Sequence, residues 1–338
     1  MTLREQVTEI MNKRTTQRAK REQLLAIGIT ENDIRQLFFA ERNAARQARR
    51  AALEQQAQNH QQQEAQNAEL QARLAQARLE FIESIIASYT FGVEIECYNV
   101  IPRDLESIAA AHGLAMHAEA YNHTTKQHYK LVSDASIRGN NGIECVTPVL
   151  RAKQGFDSLK ACCESLAEAG AKVNRSTGLH IHVGSVTITT QQYVNTFVNY
   201  MFLEQVIDSF MAQSRRANNN RYCRSLVYAK ELLKNAMTKE EISLILNNSR
   251  FHKVNPCSFT RHHTIEFRQH QGTIDYEKIS NWARFCIKLV HWSADHRLNA
   301  PVRSIDDVPF LTDDEKSFFK DRANAFAGMA MVDQLMTM

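Results

Sequence analysis

The sequence predicts an α+β protein in which a mixed or antiparallel β-sheet carries several helices and follows a helical N-terminal arm. From about residue 89 onward, short apolar β-type runs alternate with helical segments. Two of these runs, 127–137 and 142–150, are separated only by the turn-rich segment RGNNG. Strands joined by so short a turn are antiparallel. Residues 1–88 contain no proline and one glycine, which favours long helices.

Composition and charge limit the classes of protein. The chain has 338 residues, of which 43% are hydrophobic, enough for one large core of roughly 200 to 250 residues and an appendage. A net charge of +4 does not indicate a nucleic-acid partner, and the basic run RNAARQARR is more typical of a solvated helix. No run of about 18 apolar residues is present, so no membrane partner is expected.

Cysteine usage predicts a cytoplasmic location. The seven cysteines are scattered without a C-x-x-C pair, and no apolar leader precedes them. This pattern is typical of reduced thiols rather than of disulfides or a structural zinc site.

The arm is predicted to be helical from its composition. Residues 41–80 are almost wholly Ala, Gln, Glu, Arg, Asn and Leu, so we expect a long, largely solvated or partly coiled helix. Four apolar residues near its end recur at helical spacing, which predicts docking on the core or on a second copy of the chain. These are Leu70, Leu74, Phe81 and Ile85.

Upstream, the segment REQLLAIGITENDIRQLFFAER predicts two small helices joined at Gly28. Thr30 or Asn32 would cap the second helix. In the rest of the chain, strands are predicted at 88–100, 127–137, 142–150, 178–186 and 263–273, and helices at 102–113, 155–170, 189–212 and 275–295.

Several predicted strands carry ionisable side chains at alternate positions. Residues i and i+2 of a strand point to the same face, so each strand offers a polar face. Buried carboxylates without a partner cost several kcal/mol each, and we therefore expect cations to neutralise this face. The residues are Glu94 and Glu96 in VEIE, Glu144 in GIECVTP, His180 and His182 in HIH, and Glu266, Arg268 and His270 in EFRQH.

Carboxylates with one or two imidazoles favour a Mg²⁺ or Mn²⁺ site, and Mg²⁺ held in this way usually also binds nucleotide phosphates. Zinc at His180 and His182 is an alternative, but the surplus of carboxylates favours a harder ion. Cys97 and Cys145 follow Glu96 and Glu144 directly. Strand alternation therefore turns both thiols to the opposite, apolar face, where they are expected to be core residues rather than nucleophiles.

Seven segments resemble, in order, the motifs of the putative amidoligase family: FGVEIE, YKLVSDASI, GIECVTP, TGLHIHVG, RANNNRYC, FHKVN and TIEFRQHQGT. That family is similar to glutamine synthetase and glutamate-cysteine ligase. The resemblance covers about residues 89 to 295. It implies a curved, mainly antiparallel sheet of the glutamine synthetase type with helices on its convex side. The implied domains are a helical arm at 1–88, a catalytic domain at 89–300 and a C-terminal helical extension at 301–338.

The resemblance also implies an activity. A member would be an ATP-dependent ligase that joins a carboxylate donor to an amine acceptor through an acylphosphate, with two or three Mg²⁺ (or Mn²⁺) ions. The product would be an amide or isopeptide bond, and the acid or the amine could belong to a peptide or protein. The arm would allow a homo-oligomer to form.

Roles for individual residues follow from the resemblance. Glu94, Glu96, Asp134, Glu144, His180 and Glu266 are expected to hold metal, with Asp134 and Glu144 on the substrate side and His180 on the nucleotide side. Arg268 is expected to neutralise the transferring phosphoryl group, and Glu144 and Arg221 to act in catalysis with it. His182 and Arg268 are expected to bind the cofactor. Side-chain chemistry, rather than the resemblance, adds Lys130, Arg250 and Lys253 as cofactor-binding residues and favours Arg221 as a phosphate or carboxylate ligand, with a solvated surface position as the alternative for these four. For Asn255 and Gln271, hydrogen bonding at a strand end is favoured over a role with ligands.

Two other functions compete with the ligase hypothesis. The chain could be a scaffolding protein that assembles through the arm. It could also be a metal-dependent hydrolase of phosphoesters, which would use the same acids but no amine.

Overall fold

The computed structural model describes residues 1–184 and 187–336, with side chains up to residue 329. Residues 185 and 186 of the predicted strand 178–186, and the last two residues of the predicted C-terminal extension, lie outside the described residues. The chain divides into two compact units, Met1–Leu79 and Glu80–Met338. No helix in the described ranges is both long enough and apolar enough to cross a bilayer.

The first unit is helical, as the composition predicts. It contains α1 (Leu3–Asn12), α2 (Gln17–Ala26) and most of α3 (Glu31–Ala87), within which the boundary between the units falls. Thr30 accepts a hydrogen bond from the Asp33 amide at 3.2 Å, so Thr30 rather than Asn32 caps α3. The prediction of a second small helix after Gly28 is wrong, because this helix continues without a break into the long one.

The end of α3 contacts the core of the second unit through residues that differ from those predicted. Ile86 is fully buried and Ile82 packs beside it, whereas Phe81 is 64% exposed. Leu70 and Leu74 are also more than half exposed. Within the second unit, the residues of α3 that pack on the core, Ile82 and Ile86, each lie one position after the predicted residues Phe81 and Ile85.

The second unit is a mixed α+β structure built on an open, mostly antiparallel sheet. The order of its described strands is β2-β3-β4-β1-β6-β8-β7, and β5 pairs with β1. Only the β2–β3 pair is parallel among these strands. The strands are β1 (Thr90–Cys97), β2 (Met116–Glu119), β3 (Tyr129–Ser133), β4 (Ile143–Val146), β5 (Leu150–Arg151), β6 (Leu179–Gly184), β7 (Val254–Asn255) and β8 (Thr264–Phe267).

Helices fill the connections between the strands. They are α4 (Pro102–Ala111), α5 (Ala152–Glu168), α6 (Thr190–Ser209), α7 (Lys230–Leu233), α8 (Lys239–Ile245), α9 (Ser258–His262), α10 (Tyr276–Trp292) and α11 (Asp313–Met336), with 3₁₀ turns at Gln213–Arg215, Val227–Ala229 and Ile305–Asp307. The antiparallel β3–β4 pair confirms the predicted hairpin around RGNNG.

One face of the sheet is apolar and covered by helices. Phe91 of β1 stacks on Phe156 of α5 with ring centroids 4.5 Å apart, and Phe267 of β8 packs on Tyr200 of α6 at 5.7 Å. Cys97 and Cys145 are fully buried in this core, which confirms the prediction from strand alternation. The opposite face is consequently available for polar side chains.

The strand register places ionisable residues side by side on that opposite face. Glu94 of β1 lies opposite His180 of β6, and Glu96 of β1 lies opposite Glu144 of β4. His182 of β6 lies opposite Glu266 of β8. The predicted polar face is therefore present, and it draws its side chains from four adjacent strands, β4, β1, β6 and β8.

His270 does not share that face, contrary to the sequence prediction. Strand β8 ends at Phe267, so the two-residue alternation does not extend to position 270. The imidazole is 2% exposed, lies 5.9 Å from the Trp282 ring and has its Nε2 3.2 Å from the Arg322 guanidinium. His270 is a core residue.

A buried ion-pair network around Lys253 connects α6 to the last strands of the sheet. The Lys253 ammonium donates to Glu204 at 2.9 Å and to Asp208 at 2.6 Å, both on α6. The backbone of Lys253 also donates to the Arg224 carbonyl and accepts from the Arg268 amide. One lysine thus links a helix, the loop that follows it and the last strands of the sheet.

Replacing Lys253 by methionine should destabilise the fold, because two acidic side chains would lose their buried cation. We expect the free energy of unfolding to fall by about 3 kcal/mol or more, as measured by urea denaturation. Lys153→Met is the matched control, since Lys153 pairs with Asp157 on the surface of α5 with its side chain 82% exposed. The control should leave the midpoint unchanged; equal midpoints for the two variants would contradict a structural role of Lys253.

Candidate active site

The polar face of the sheet forms the floor of a cleft in the second unit. Its volume is about 740 Å³, within the range of small-molecule and cofactor sites. Loops at 121–125, 133–136 and 248–251 contribute to its walls, and so does the segment 257–262.

A first cluster of potential metal ligands consists of Glu94, His180 and Glu266, whose ligand atoms all lie within 4.8 Å of one another. The Nδ1 atom of His180 lies 2.8 Å from Glu94 and 4.0 Å from Glu266. The second oxygen of Glu266 accepts a hydrogen bond from the Asn255 amide at 2.5 Å. Asn255 therefore orients this carboxylate, and its Oδ1 also accepts a hydrogen bond from the Cys257 amide at 2.8 Å, which confirms the expected hydrogen bonding at the strand end.

A second cluster consists of Glu96, Glu144 and His180, again with ligand atoms within 4.8 Å of one another. The Nε2 atom of His180 lies 3.6 Å from Glu96, so the two imidazole nitrogens face the two different clusters. The second oxygen of Glu96 accepts a hydrogen bond from the Gly178 amide at 2.6 Å. The sheet thus sets one histidine between two groups of carboxylates.

Glu144 is a carboxyl group without a cationic partner of its own. Burial, and then repulsion from Glu94, Glu96 and Asp134, raise the pKa of Glu144 well above 4.5. In the described part of the chain, no hydrogen-bond donor reaches its side chain. A proton or a metal cation that neutralises this partly buried carboxylate would therefore stabilise it.

Glu94 shows the opposite behaviour because it contacts two imidazoles. Burial alone would raise its pKa, but the charge of His182 and hydrogen bonds with His180 and His182 outweigh burial, so the pKa of Glu94 lies well below 4.5. His182 lies 3.2 Å from Glu94 through Nε2 and 2.9 Å from the Thr264 hydroxyl through Nδ1. His182 therefore supports the first cluster from its side.

These donor sets fit Mg²⁺ or Mn²⁺. Each set supplies two carboxylates and one imidazole, and hard divalent ions prefer oxygen ligands. The sets found among the described residues contain no thiolate, and His182 belongs to neither of them. The zinc alternative at His180 and His182 therefore gains no support.

Arg268 places a guanidinium beside the first cluster. It donates a hydrogen bond to Glu266. Burial would lower the pKa of Arg268, but the charges of Glu266 and Glu94 raise it above its usual value, so the group stays charged. Its Nε lies 3.5 Å from the Tyr222 carbonyl oxygen.

The structure brings most of the predicted site residues to this one cleft and leaves two of them outside. Arg221 is exposed on the surface, with its guanidinium 2.5 Å from the Tyr222 hydroxyl, and Lys253 is held by its two acidic partners on α6. Their positions give no support to a catalytic role for Arg221 or to cofactor binding by Lys253. The predicted residues that line the cleft are Glu94, Glu96, Lys130, Asp134, Glu144, His180, His182, Arg250, Glu266 and Arg268.

Lys130 lines the cleft but uses its ammonium to fix a loop. Its Nζ donates to the Asn122 carbonyl at 3.2 Å, the Asn122 side chain at 3.3 Å and the Thr124 carbonyl at 2.9 Å. An ammonium group has three N–H donors, so none remains for a phosphate. Asp134 lies at the cleft wall outside both ligand clusters and accepts a hydrogen bond from the Ser136 amide at 2.7 Å.

Arg215 is a residue of the cleft that sequence reasoning missed. Its side chain is almost fully buried, donates to the Thr177 carbonyl at 2.6 Å and has no hydrogen-bond partner for Nε among the described residues. Gly178 permits this approach, because a Cβ there would lie 3.1 Å from His180 Nε2 and 3.2 Å from the Arg215 guanidinium. The polar loop 213–225 contains four arginines, and nothing in their spacing distinguishes this one.

Comparisons with known proteins were made for the whole chain. One solved structure that shows similarity is described as "Crystal structure of novel glutamine synthase homolog". The two share 9% sequence identity and a TM-score of 0.35, and the match covers 73% of this chain and 66% of that chain. No curated protein sequence matches the chain significantly.

A family comparison gives a more extensive match. The family described as "Putative amidoligase enzyme" matches residues 87–290. This range contains every strand of the sheet and every ligand of the two clusters. The match covers more than half of the chain, and the protein therefore belongs to the putative amidoligase family.

Proposed function

We propose that the protein is an ATP-dependent carboxylate-amine ligase that forms an amide or isopeptide bond through an acylphosphate. The observation that carries the proposal is the pair of carboxylate clusters around His180, with Arg268 at their side, in one cleft of a chain of the amidoligase family. Acids alone would repel a triphosphate, so an ATP-binding cleft of this composition would need divalent cations beside the acids.

The proposed metals are two or three Mg²⁺ or Mn²⁺ ions. Glu94 and Glu266 would hold metal at the nucleotide side, and Glu96 and Glu144 at the substrate side, with His180 between them and Asp134 close to the second group. The ions would supply the positive charge that attracts the triphosphate into an acidic cleft and neutralises its oxygens.

Two protein groups are assigned to the chemical steps. Arg268, oriented by Glu266, would stabilise the charge on the phosphoryl group while it passes from ATP to the substrate carboxylate. The amine then forms the C–N bond as the bond to phosphate breaks, and it must lose a proton. We assign that proton transfer to Glu144, a carboxylate of the second cluster.

We assign catalysis to residues 89–300 and assembly or targeting to the helical arm, 1–88. The helical extension 301–338 would support the catalytic domain, since Phe319 of α11 is buried in the core cluster. The proposed partners are ATP, an acid and an amine, and the acid or amine could belong to a peptide or protein.

Replacing Glu94 or Glu266 by glutamine should abolish turnover while leaving the fold intact, because glutamine keeps the shape and removes the charge that binds metal. We expect ADP release in the presence of mixed acids and amines to fall by about 100-fold or more. Mn²⁺ binding, measured by calorimetry without nucleotide, should weaken in parallel.

Glu164→Gln on the exposed side of α5 is the matched control and should change neither quantity. Full turnover in both cleft variants would refute the metal assignment. A wild-type protein that binds no Mg·ATP and releases no ADP with any acid and amine would refute the ligase proposal itself.

Metal binding should depend on pH through Glu144. Because its pKa is raised, the carboxyl group keeps its proton to a higher pH than an ordinary glutamate does, and that proton must leave before a cation binds. Mn²⁺ affinity should therefore fall as the pH decreases toward the raised pKa. Calorimetry in buffers of different ionisation enthalpy should detect proton release on binding, and Glu144→Gln should abolish that release; unchanged release in the variant would contradict this assignment.

A further inference from the structure

Two aromatic pairs line the cleft, and the proposed metal and acid chemistry uses neither of them. Tyr222 and Phe251 form one pair, with ring centroids 5.5 Å apart and planes at 70°. Tyr121 and His123 form the other, at 5.1 Å and 77°. Aromatic side chains in a polar cleft provide flat apolar surfaces against which planar rings stack.

The Tyr222–Phe251 pair differs from the other pair in its charge. The Arg221 guanidinium lies 4.7 Å from the centroid of the Tyr222 ring, and the Arg250 guanidinium lies 5.2 Å from that of Phe251. Arg250 lines the cleft and Arg221 lies outside it. This part of the wall therefore combines aromatic surface with one cation, and a second cation lies close to it, which suits a planar ring attached to a polyanion. The Tyr121–His123 pair lies on the loop held by Lys130, whose ammonium donors are already used.

The wall is also rigid. The Arg224 amide donates to the Phe251 carbonyl at 2.9 Å, and the Lys253 amide donates to the Arg224 carbonyl at 3.0 Å. Two chain segments that each carry one ring are thus hydrogen-bonded to each other, with Cys223 buried beneath them. A surface fixed in this way loses little conformational entropy when a ligand binds.

The same wall adjoins the arginine assigned to phosphoryl transfer. Arg268 lies 3.5 Å from the Tyr222 carbonyl through Nε, and its amide donates to the Lys253 carbonyl at 2.8 Å. A nucleotide whose phosphates lie beside Arg268 can therefore extend its base along the rings. Asn248 also lines the cleft, and its amide can both donate to and accept from the edge of a base.

We propose that Tyr222 and Phe251, flanked by Arg221 and Arg250, form the surface on which the purine base of the nucleotide stacks. This inference deepens the proposed function and depends on it, because it requires a nucleotide in the cleft.

The test compares a ligand that has a base with one that has none. Calorimetry on the full-length protein with Mg²⁺ would measure the affinity for a non-hydrolysable ATP analogue and for inorganic tripolyphosphate. Phe251→Ala and Tyr222→Ala should each lower the affinity for the ATP analogue by about 10-fold or more and leave the affinity for tripolyphosphate unchanged. Phe251→Leu keeps apolar volume without the aromatic face and should behave like the alanine variant, whereas Phe251→Tyr should retain wild-type affinity.

Tyr121→Ala is the matched control, because it removes one ring of the other aromatic pair of the cleft. It should change neither affinity. Wild-type affinity for the ATP analogue in the Phe251 and Tyr222 alanine variants would overturn the inference. So would an equal loss of tripolyphosphate binding, which would reveal general damage to the cleft, or a loss of nucleotide affinity in the control.

The failure of this inference can be distinguished from the failure of the proposed function. If the wild-type protein binds the ATP analogue and the ring variants bind it equally well, only the stacking surface is refuted, and the rings would then be assigned to the acid or the amine. If the wild-type protein binds neither ATP nor tripolyphosphate in Mg²⁺ or Mn²⁺, the ATP-dependent function fails, and the stacking surface fails with it.

Discussion

The organisation of this protein depends on like charges held side by side by strand register. Glu96 lies directly opposite Glu144 across the β1–β4 pair, an arrangement that destabilises an antiparallel sheet unless something compensates the charge. The hydrogen-bond ladders of β1 with β4 and β6 fix the backbone positions from which these side chains extend on one face. His180, the Gly178 amide and Arg268 compensate part of the negative charge, and the raised pKa of Glu144 reflects the part that remains. A cation that enters this cleft therefore relieves a repulsion already present in the folded chain.

Packing on the opposite, apolar side of the sheet stabilises the strands that carry this repulsive face. The apolar face is covered by α5, α6 and α10 with large aromatic side chains, and the Lys253 network binds α6 to the strand ends. Gln269 extends that network, since it contacts both Tyr200 and Asp208. A rigid support of this kind keeps the acids close to one another, in the arrangement of a potential metal site.

The polar face could be predicted from sequence because it follows from period-two alternation alone. Glu94, Glu96, Glu144, His180 and Glu266 all lie where that alternation places them. The same rule failed at His270, where the strand had already ended, and sequence offers no sign of the residue at which a ladder loses its partner. The sequence also does not distinguish Lys253 from a ligand-binding lysine, because its partners Glu204 and Asp208 lie 49 and 45 residues earlier in the chain.

For the helical arm and for the arginines of loop 213–225, the sequence likewise does not show which side chains become buried. Composition predicted a long helix, but which residues of α3 face the core is set by packing, and the docked pair Ile82 and Ile86 lies one position from the predicted stripe. Arg215 and Arg221 occur in one polar loop with equivalent local sequence. Only the tertiary path of that loop buries the first and exposes the second.

Lys130 holds loop 121–125 through contacts that do not depend on the aromatic side chains of that loop. Its three hydrogen bonds hold the backbone and a single amide of loop 121–125, while the side chains of Tyr121 and His123 take no part in them. Those side chains can be exchanged during evolution without loosening either the loop or the strand beneath it. A lineage could therefore acquire new selectivity through this short stretch while the acidic floor of the cleft remained unchanged.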